Sequence, residues 1–492
     1  MTIPAEQQEV ARFLSDLSGA APAETHISAV FIGRDTVWKL KKAVRMPFLD
    51  FSTLDARAHF LRRELELNQP AAPGIYRDVV GVSRRPDGKL ELGDANPVDW
   101  VLRMAPVPHG DFLDVMAREG RLTPKLFDDL GDSVAAYHSR LAPVLQWDSA
   151  AALLRITEGN VRSALAAGLP AADVDSWNQR IMSAIDSCRD WLTDRAADGL
   201  VRRCHGDLHL GNLCLWEGKP VAFDALEFDE AMATIDVAYD LAFLLMDLDR
   251  RVDRAAANRV MNRYVARTGD IAMRGYPVFF SQRAMVRAHV LTAMHQDGSA
   301  YFAAAHSYLD RATPVVVAIG GLQGTGKSTL ARALAPEIGR APGALILRSD
   351  EIRKRLHGAS PEARLGPEAY TETANRATNA MVIEHARLAA ASGHAVIVDA
   401  TFLDTTMRQA LAAAIGQAGI AFLGLWLHAP LAVLEQRISA RRDDASDATV
   451  AVLRRAAAKD PGAGDWVPVD AVAFDKAVAR VREAIRLSLQ GS

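Results

Sequence analysis

Two stretches of the chain place reactive residue types at spacings that suit chemistry on phosphates. "HGDLHLGN" at 205–212 sets a carboxylate, Asp207, five positions before a carboxamide, Asn212, and "AFDALEF" adds a second carboxylate, Asp224. A carboxylate can accept the proton of a hydroxyl, and an Asn/Asp pair can hold Mg²⁺ against a polyphosphate. "GLQGTGKS" at 321–328 matches G-x-x-x-x-G-K-[ST] in full. Its glycines let backbone N–H groups wrap phosphate oxygens, its lysine reaches the β- and γ-phosphates, and its serine can ligate Mg²⁺. The nucleotide contacts of that loop fall to Gly321, Gly324, Thr325, Gly326, Lys327, Ser328 and Thr329.

Each stretch needs partners, and the sequence offers them. Around the second, "AVIVDAT" ends an apolar run on Asp399, a carboxylate placed to hold the metal together with Ser328. "LILRSDEIRKRL" sets Asp350 just after another apolar run, where it can orient an acceptor hydroxyl or cap the helix that follows. In "LEQRISARRDDASDA", Arg437 and Arg441 stand four apart on one helical face. They could close over a transferring phosphoryl group or form a solvated basic face. Around the first stretch, "VWKLKK" supplies Lys39, with Lys41 on the same strand face, and "STLDARAHFLRRELELN" supplies Glu64 as the carboxylate to fix Lys39. His205 and His209 lie across a glycine-bearing loop, which argues against a histidine metal site.

The elements that must position these residues can be read from periodicity. "ISAVFIG" and "TVWKLKK" form a hairpin, and the segment from 52 spaces Leu54, Ala58, Leu61 and Leu65 along one helical face behind a capping-box spacing of Ser52 and Asp55. "DVVGVSRRPDGKLELG" reads as two strands around a turn and "DWVLRM" as another. Residues 111–200 and 232–311 are helical in pattern. Asp236 and Asp240, four apart on a helix, suit hydrogen bonding to the 205–212 loop, while Arg283 and Arg287 could line an acceptor pocket or face solvent. A Pro before "VVVAI" marks a boundary near 312. Beyond it "VVVAI", "ALIL", "AVIVD" and "AFLGLWL" alternate with helices, the signature of a parallel sheet.

Two resemblances follow. Residues 25–250, through "HGDLHLGN", "FDALEFD" and "DVAYDLAF", resemble the aminoglycoside phosphotransferase branch of the protein-kinase-like fold. That implies a small-molecule acceptor, with Asp207 as base, Asn212 and Asp224 on the metal, and Lys39 and Glu64 at the nucleotide. One glycine, Gly33, replaces a glycine-rich loop, and no A-P-E element follows Asp224, which disfavours protein substrates. The carboxyl-terminal 180 residues resemble P-loop kinases of the zeta-toxin, gluconate-kinase and polynucleotide 5′-kinase kind, through "GTGKST", "RSDEIR", "VIVDATF" and "RISARRDDASDA". The expected fold is an α+β two-lobed kinase-like domain over 1–311, with a small lobe to about 106, followed by an α/β P-loop domain over 312–492.

Composition narrows the rest. The chain has 492 residues, 49% apolar and 24% charged, with a net charge of −3, so two domains are expected and no global basic field draws nucleic acid. Three cysteines without CxxC spacing, no secretory leader pattern and no long apolar run point to a cytoplasmic protein that binds no membrane. The expectation is two phosphotransferases using Mg²⁺ and ATP, with GTP the alternative nucleotide, each acting on a hydroxyl of a small molecule. The competing readings are one kinase governed by a nucleotide-binding sensor, a nucleic-acid 5′-hydroxyl kinase, and an aminoglycoside-resistance enzyme.

Overall fold

A computed structural model describes residues 2–46, 49–440 and 449–490. The chain divides into two compact units, Met1–Ile156 with Arg189–Leu244, and Thr157–Cys188 with Leu245–Ser492.

The first unit is built on a six-stranded antiparallel sheet. Its order is Ala23–Glu24, Ser28–Ile32, Val37–Lys41, Pro97–Met104, Tyr76–Arg84, Leu90–Leu92. Alternation along Val37–Lys41 sorts its side chains between two environments. Leu40 joins Ala29, Phe31 and Val101 against Val10 and Leu14 of the helix Gln8–Ser18. Lys39 and Lys41 face the other way, toward the helix Leu54–Asn68, which packs there through Leu61 beside Leu102. That helix is capped by Thr53, whose hydroxyl accepts from Ala56 N at 3.2 Å. Ser52, the expected cap, instead gives its hydroxyl proton to Asp50 at 2.5 Å.

The helical part of this unit includes Pro124–Arg140, capped by Thr123. Two short strand pairs were not legible as such. Leu213–Trp216 pairs with Lys219–Ala222, and Thr234–Asp236, inside a stretch read as helix, pairs with Val201–Arg203. Together they fold the 205–212 loop against residues 223–229.

The second unit holds a five-stranded, all-parallel sheet in the order Leu345–Arg348, Val396–Asp399, Val315–Gly321, Ala421–His428, Val467–Asp470. The last strand contains Pro468, which an edge position tolerates, and only the other four were expected. The helix Phe474–Gln490 covers one face through Ala477, Val478 and Val481. The composition change near 312 marks where the sheet begins, but the packing unit reaches further back. On the helix Arg254–Thr268, Asn262 accepts from Ile346 N at 2.7 Å, and Asn258 donates to Ala344 O at 3.0 Å. These side chains occupy the backbone groups that the edge strand Leu345–Arg348 would otherwise leave bare. Arg263 and Arg267 of the same helix hold Glu362 at 2.6 and 2.8 Å. Among the described residues, no helix is long and apolar enough to cross a membrane.

Candidate functional site

In the first unit the strand, the helix and the 205–229 region converge on one ionic cluster. Lys39 Nζ lies 2.7 Å from Glu64 Oε1 and 2.6 Å from Asp224 Oδ1. Burial works against the Lys39 ammonium, yet Asp224 and Glu64 outweigh it and hold its pKa well above the ordinary lysine value. For Asp224 desolvation pushes upward, and the Lys39 ammonium more than offsets it, so this carboxyl is held below its usual range. Asp224 also has a left-handed backbone, φ 61°, a conformation Asp tolerates better than most residues. Its N–H donates to Tyr76 Oη at 2.9 Å, which fixes the turn.

The 205–212 loop is held from beneath by one carboxylate. Asp240 Oδ1 accepts from Gly206 N at 2.9 Å, and its Oδ2 accepts from His205 N at 3.1 Å and meets His138 Nε2 at 3.1 Å. Asp236 does not reach the loop. It takes a two-point ion pair from buried Arg195 at 2.6 and 2.7 Å and so ties the end of its short strand to the helix Arg189–Ala197. Asn212 Nδ2 donates to Asp207 O and Oδ2, both at 2.9 Å, and His209 Nε2 stands 3.5 Å from the same carboxylate. Asp207 and Asn212 are thus adjacent, with the Asp207 carboxylate 42% exposed and open to an incoming hydroxyl. His205 bonds to Phe223 O, and His209 Nδ1 accepts from Gly211 N, so each ring serves its own loop.

In the second unit the phosphate-type loop joins the strand Val315–Gly321 to the helix Lys327–Leu334. Gly321, Gly324 and Gly326 have φ of 136°, 88° and 89°. A Cβ on Gly321 would stand 2.4 Å from Leu427 O, and one on Gly324 2.8 Å from Leu434 O, so the neighbouring backbone admits only glycine. Lys327 Nζ donates to Gly321 O and Leu322 O at 3.0 and 3.1 Å, curled over the loop it would share with a phosphate. Ser328 Oγ donates to Asp399 Oδ2 at 2.5 Å, which brings the two expected metal ligands together. A hydroxyl beside a carboxylate is an all-oxygen donor set that fits Mg²⁺.

A cavity of about 460 Å³ opens here, lined by Thr325, Lys327, Ser328, Thr329, Asp350 and Asp399 among others. Asp350 sits in the first turn of the helix Ser349–Leu356, which has no side-chain cap, so the capping alternative does not describe it. Desolvation pushes its carboxyl up, with Arg348 opposing. Arg437 also lines the cavity, but its guanidinium donates to Ala471 O at 2.9 Å and Val472 O at 3.0 Å, and so braces the loop after the last strand. Arg441 lies outside the described residues.

Several residues of these sites had no signal of their own in the sequence. Arg348 lines the cavity, pairs with Glu351 at 2.9 Å and reaches Asp399 at 3.4 Å. It stands inside the "RSDEIR" stretch, but nothing about an arginine ending a strand separates it from its neighbours. Phe474, 43% exposed, and Gln323 also line the cavity. In the first unit, Glu227 pairs with Lys41, which alternation had already placed beside Lys39, and Asn68 accepts from Ala225 N at 2.8 Å. Of the two alternatives for Arg283, pocket lining or a solvated face, the second does not hold: the residue is buried, only 7% exposed.

Residues 94–276 match the phosphotransferase enzyme family model, and residues 316–459 match an AAA domain model. The chain is thus similar over one segment to phosphotransferase enzymes and over a later segment to AAA domains, in the order its motifs stand, and these likenesses support phosphotransfer as its class of chemistry. The chain is 29% identical over 470 residues to an uncharacterized protein of Mycobacterium tuberculosis (strain ATCC 25618 / H37Rv), covering 90% of each chain. An uncharacterized protein of Mycobacterium bovis matches to the same extent. Solved structures similar to parts of it include a gluconokinase from Sinorhizobium meliloti 1021 (22% identity, 37% of this chain and 100% of that one, TM-score 0.26). A choline kinase from Cryptosporidium parvum Iowa II gives 10% identity over 58% of this chain and 86% of that one, with a TM-score of 0.38.

Proposed function

We propose that the chain is a bifunctional, ATP- and Mg²⁺-dependent phosphotransferase, with domains at 1–311 and 312–492 that each transfer the γ-phosphate of ATP to a hydroxyl of a small molecule. The observation that carries this reading is that one chain holds two sets of groups, each with a phosphate-anchoring lysine, a proton acceptor and metal-ligating oxygens. Lys39, Glu64, Asp207, Asn212 and Asp224 form one, and Lys327, Ser328, Asp350 and Asp399 form the other. A regulatory domain that only sensed nucleotide would not need a proton acceptor beside its phosphate groups.

In the first site Lys39 anchors the nucleotide phosphates, with Glu64 holding its ammonium in place. Asp207 accepts the proton of the acceptor hydroxyl, and the Asn212 amide on its Oδ2 fixes the carboxylate's rotation. In the second, the loop N–H groups and Lys327 take the phosphates, Asp350 receives the hydroxyl's proton, and Phe474 offers an apolar ring suited to a nucleobase. Asn212 with Asp224, and Ser328 with Asp399, would hold Mg²⁺, which neutralises phosphate charge and lines up the transferring group. Sugars, aminoglycoside-like and nucleoside-like molecules are the acceptor classes to test, in a cytoplasmic setting and without nucleic acid as partner.

The test is ADP release by the wild type, Asp207→Ala and Lys327→Ala proteins across sugars, nucleosides, aminoglycosides and 5′-hydroxyl RNA. Each substitution is expected to remove turnover of a different small acceptor. If one substitution silences every acceptor while the other changes only nucleotide dependence, one domain is a sensor and the bifunctional reading fails.

A further inference from the structure

The first site contains a second lysine that the phosphotransfer scheme leaves without a task. Lys41 Nζ is fully buried, lies 2.9 Å from Glu64 Oε2, pairs also with Glu227, and sits 5.0 Å from the centre of the Phe51 ring. Glu64 thus gives one oxygen to each lysine. Two rungs join the helix Leu54–Asn68 to the 224–227 segment, Glu64–Lys39–Asp224 and Glu64–Lys41–Glu227. They differ in what they can release. Lys39 and Asp224 both have work at the nucleotide, and Asp224 is 44% exposed. Lys41 and Glu227 are enclosed, at 0% and 6%.

We propose that Lys41 is a positioning residue: by holding Glu64 and Glu227 it keeps the helix and the 224–227 segment in register and frees Lys39 to leave Asp224 for a nucleotide phosphate. The argument is one of charge. Two ammonium groups face three carboxylates, so the cluster carries one excess negative charge. Without Lys41, three carboxylates compete for Lys39 alone in a poorly solvated site, and Lys39 is pinned away from the phosphate. Removing Glu227 as well restores the excess to one. The remaining Lys39, Glu64 and Asp224 then form a simple three-group set.

This inference rests on the reading of Lys39 as the nucleotide anchor, so the experiment separates the two. Mg·ADP binding is measured by calorimetry in the Lys327→Ala background, where the second site is silent. Lys39→Met, Lys41→Met, Lys41→Arg, Glu227→Gln and the double variant Lys41→Met/Glu227→Gln are compared, with melting temperatures recorded alongside. Lys41→Met should weaken binding about tenfold or more, Lys41→Arg should stay within about threefold of its parent, and the double variant should recover to about that level. A purely structural lysine would lower melting temperature in Lys41→Met and in Glu227→Gln, and further in their double variant, without restoring affinity, and that result overturns the proposal. Unchanged affinity in Lys41→Met, while Lys39→Met is weakened, overturns this proposal alone. Affinity indifferent to Lys39→Met, or no Mg·ADP binding in the background protein, overturns the site reading and the proposal together.

Discussion

The carboxylate of Asp240 offers the sharpest test of how the first site is held. It is wholly buried, and its two oxygens meet Gly206 N, His205 N and His138 Nε2. Asp240→Asn keeps the size and shape but turns one acceptor into a donor. Whichever way the amide is placed, one backbone N–H or the His138 ring faces an N–H instead of an oxygen. The better rotamer puts the amide oxygen where Oδ2 meets two nitrogens, so the Gly206 N–H is the one left bare. Losing one charge-assisted hydrogen bond and stranding one buried donor costs about 3 kcal/mol. For a unit of this size that lowers the melting temperature of its transition by about 6–12 °C. The loop also carries Asp207, and a displacement of about 1 Å at a catalytic group costs on the order of a hundredfold in rate. Scanning calorimetry of the full chain, with the first site's transition identified by its shift on Asp207→Ala, reads the first effect, and first-site turnover reads the second. A variant melting within about 2 °C of the wild type would show that Asp240 does not load the loop, and the reasoning would fail.

Two further expectations concern the second site. Gly321→Ala places a methyl group 2.4 Å from Leu427 O at a φ of 136°, so the loop must move; second-site Mg·ADP binding should be lost while first-site turnover persists, and retained binding would contradict the geometry. Because desolvation raises the Asp350 carboxyl, the base is protonated, and idle, up to a higher pH than an ordinary aspartate near about 3.9. The acid limb of second-site kcat/KM, followed in the Asp207→Ala protein, should lie above that value and vanish together with most activity in Asp350→Asn. An acid limb at or below the ordinary range would remove Asp350 from the role of base.

Much of this architecture was legible because it rests on local signals. Alternation put Lys39 and Lys41 on one strand face, and the helical stripe through Leu61 turned Glu64 toward them. The parallel sheet announced itself as apolar runs separated by helices, as strands buried on both faces must. Local reasoning stumbled where long-range contacts decide. The strand Thr234–Asp236 exists because Val201–Arg203 lies beside it, and Val467–Asp470 because Ala421–His428 does. Ser52 lost the cap to Thr53 because Asp50 captured its hydroxyl. Asp236 and Asp240 looked alike in sequence, yet one meets Arg195 and the other carries the loop.

The sequence by itself determined the chemistry available: the glycine loop with Lys327 and Ser328, the Asp207 and Asn212 spacing, and the carboxylates that end apolar strands. Those assignments depend on residue type and on neighbours a few positions away, and both are written in the chain. Only the tertiary structure decided which charges meet. It gave Glu64 one oxygen for each of two lysines, turned Arg437 onto backbone carbonyls, brought Arg348 to Asp399, and made Asn258 and Asn262 the border of the second sheet. The physical reason is that an ion pair or a capped sheet edge is set by distances of about 3 Å between groups far apart in sequence, which no local period encodes.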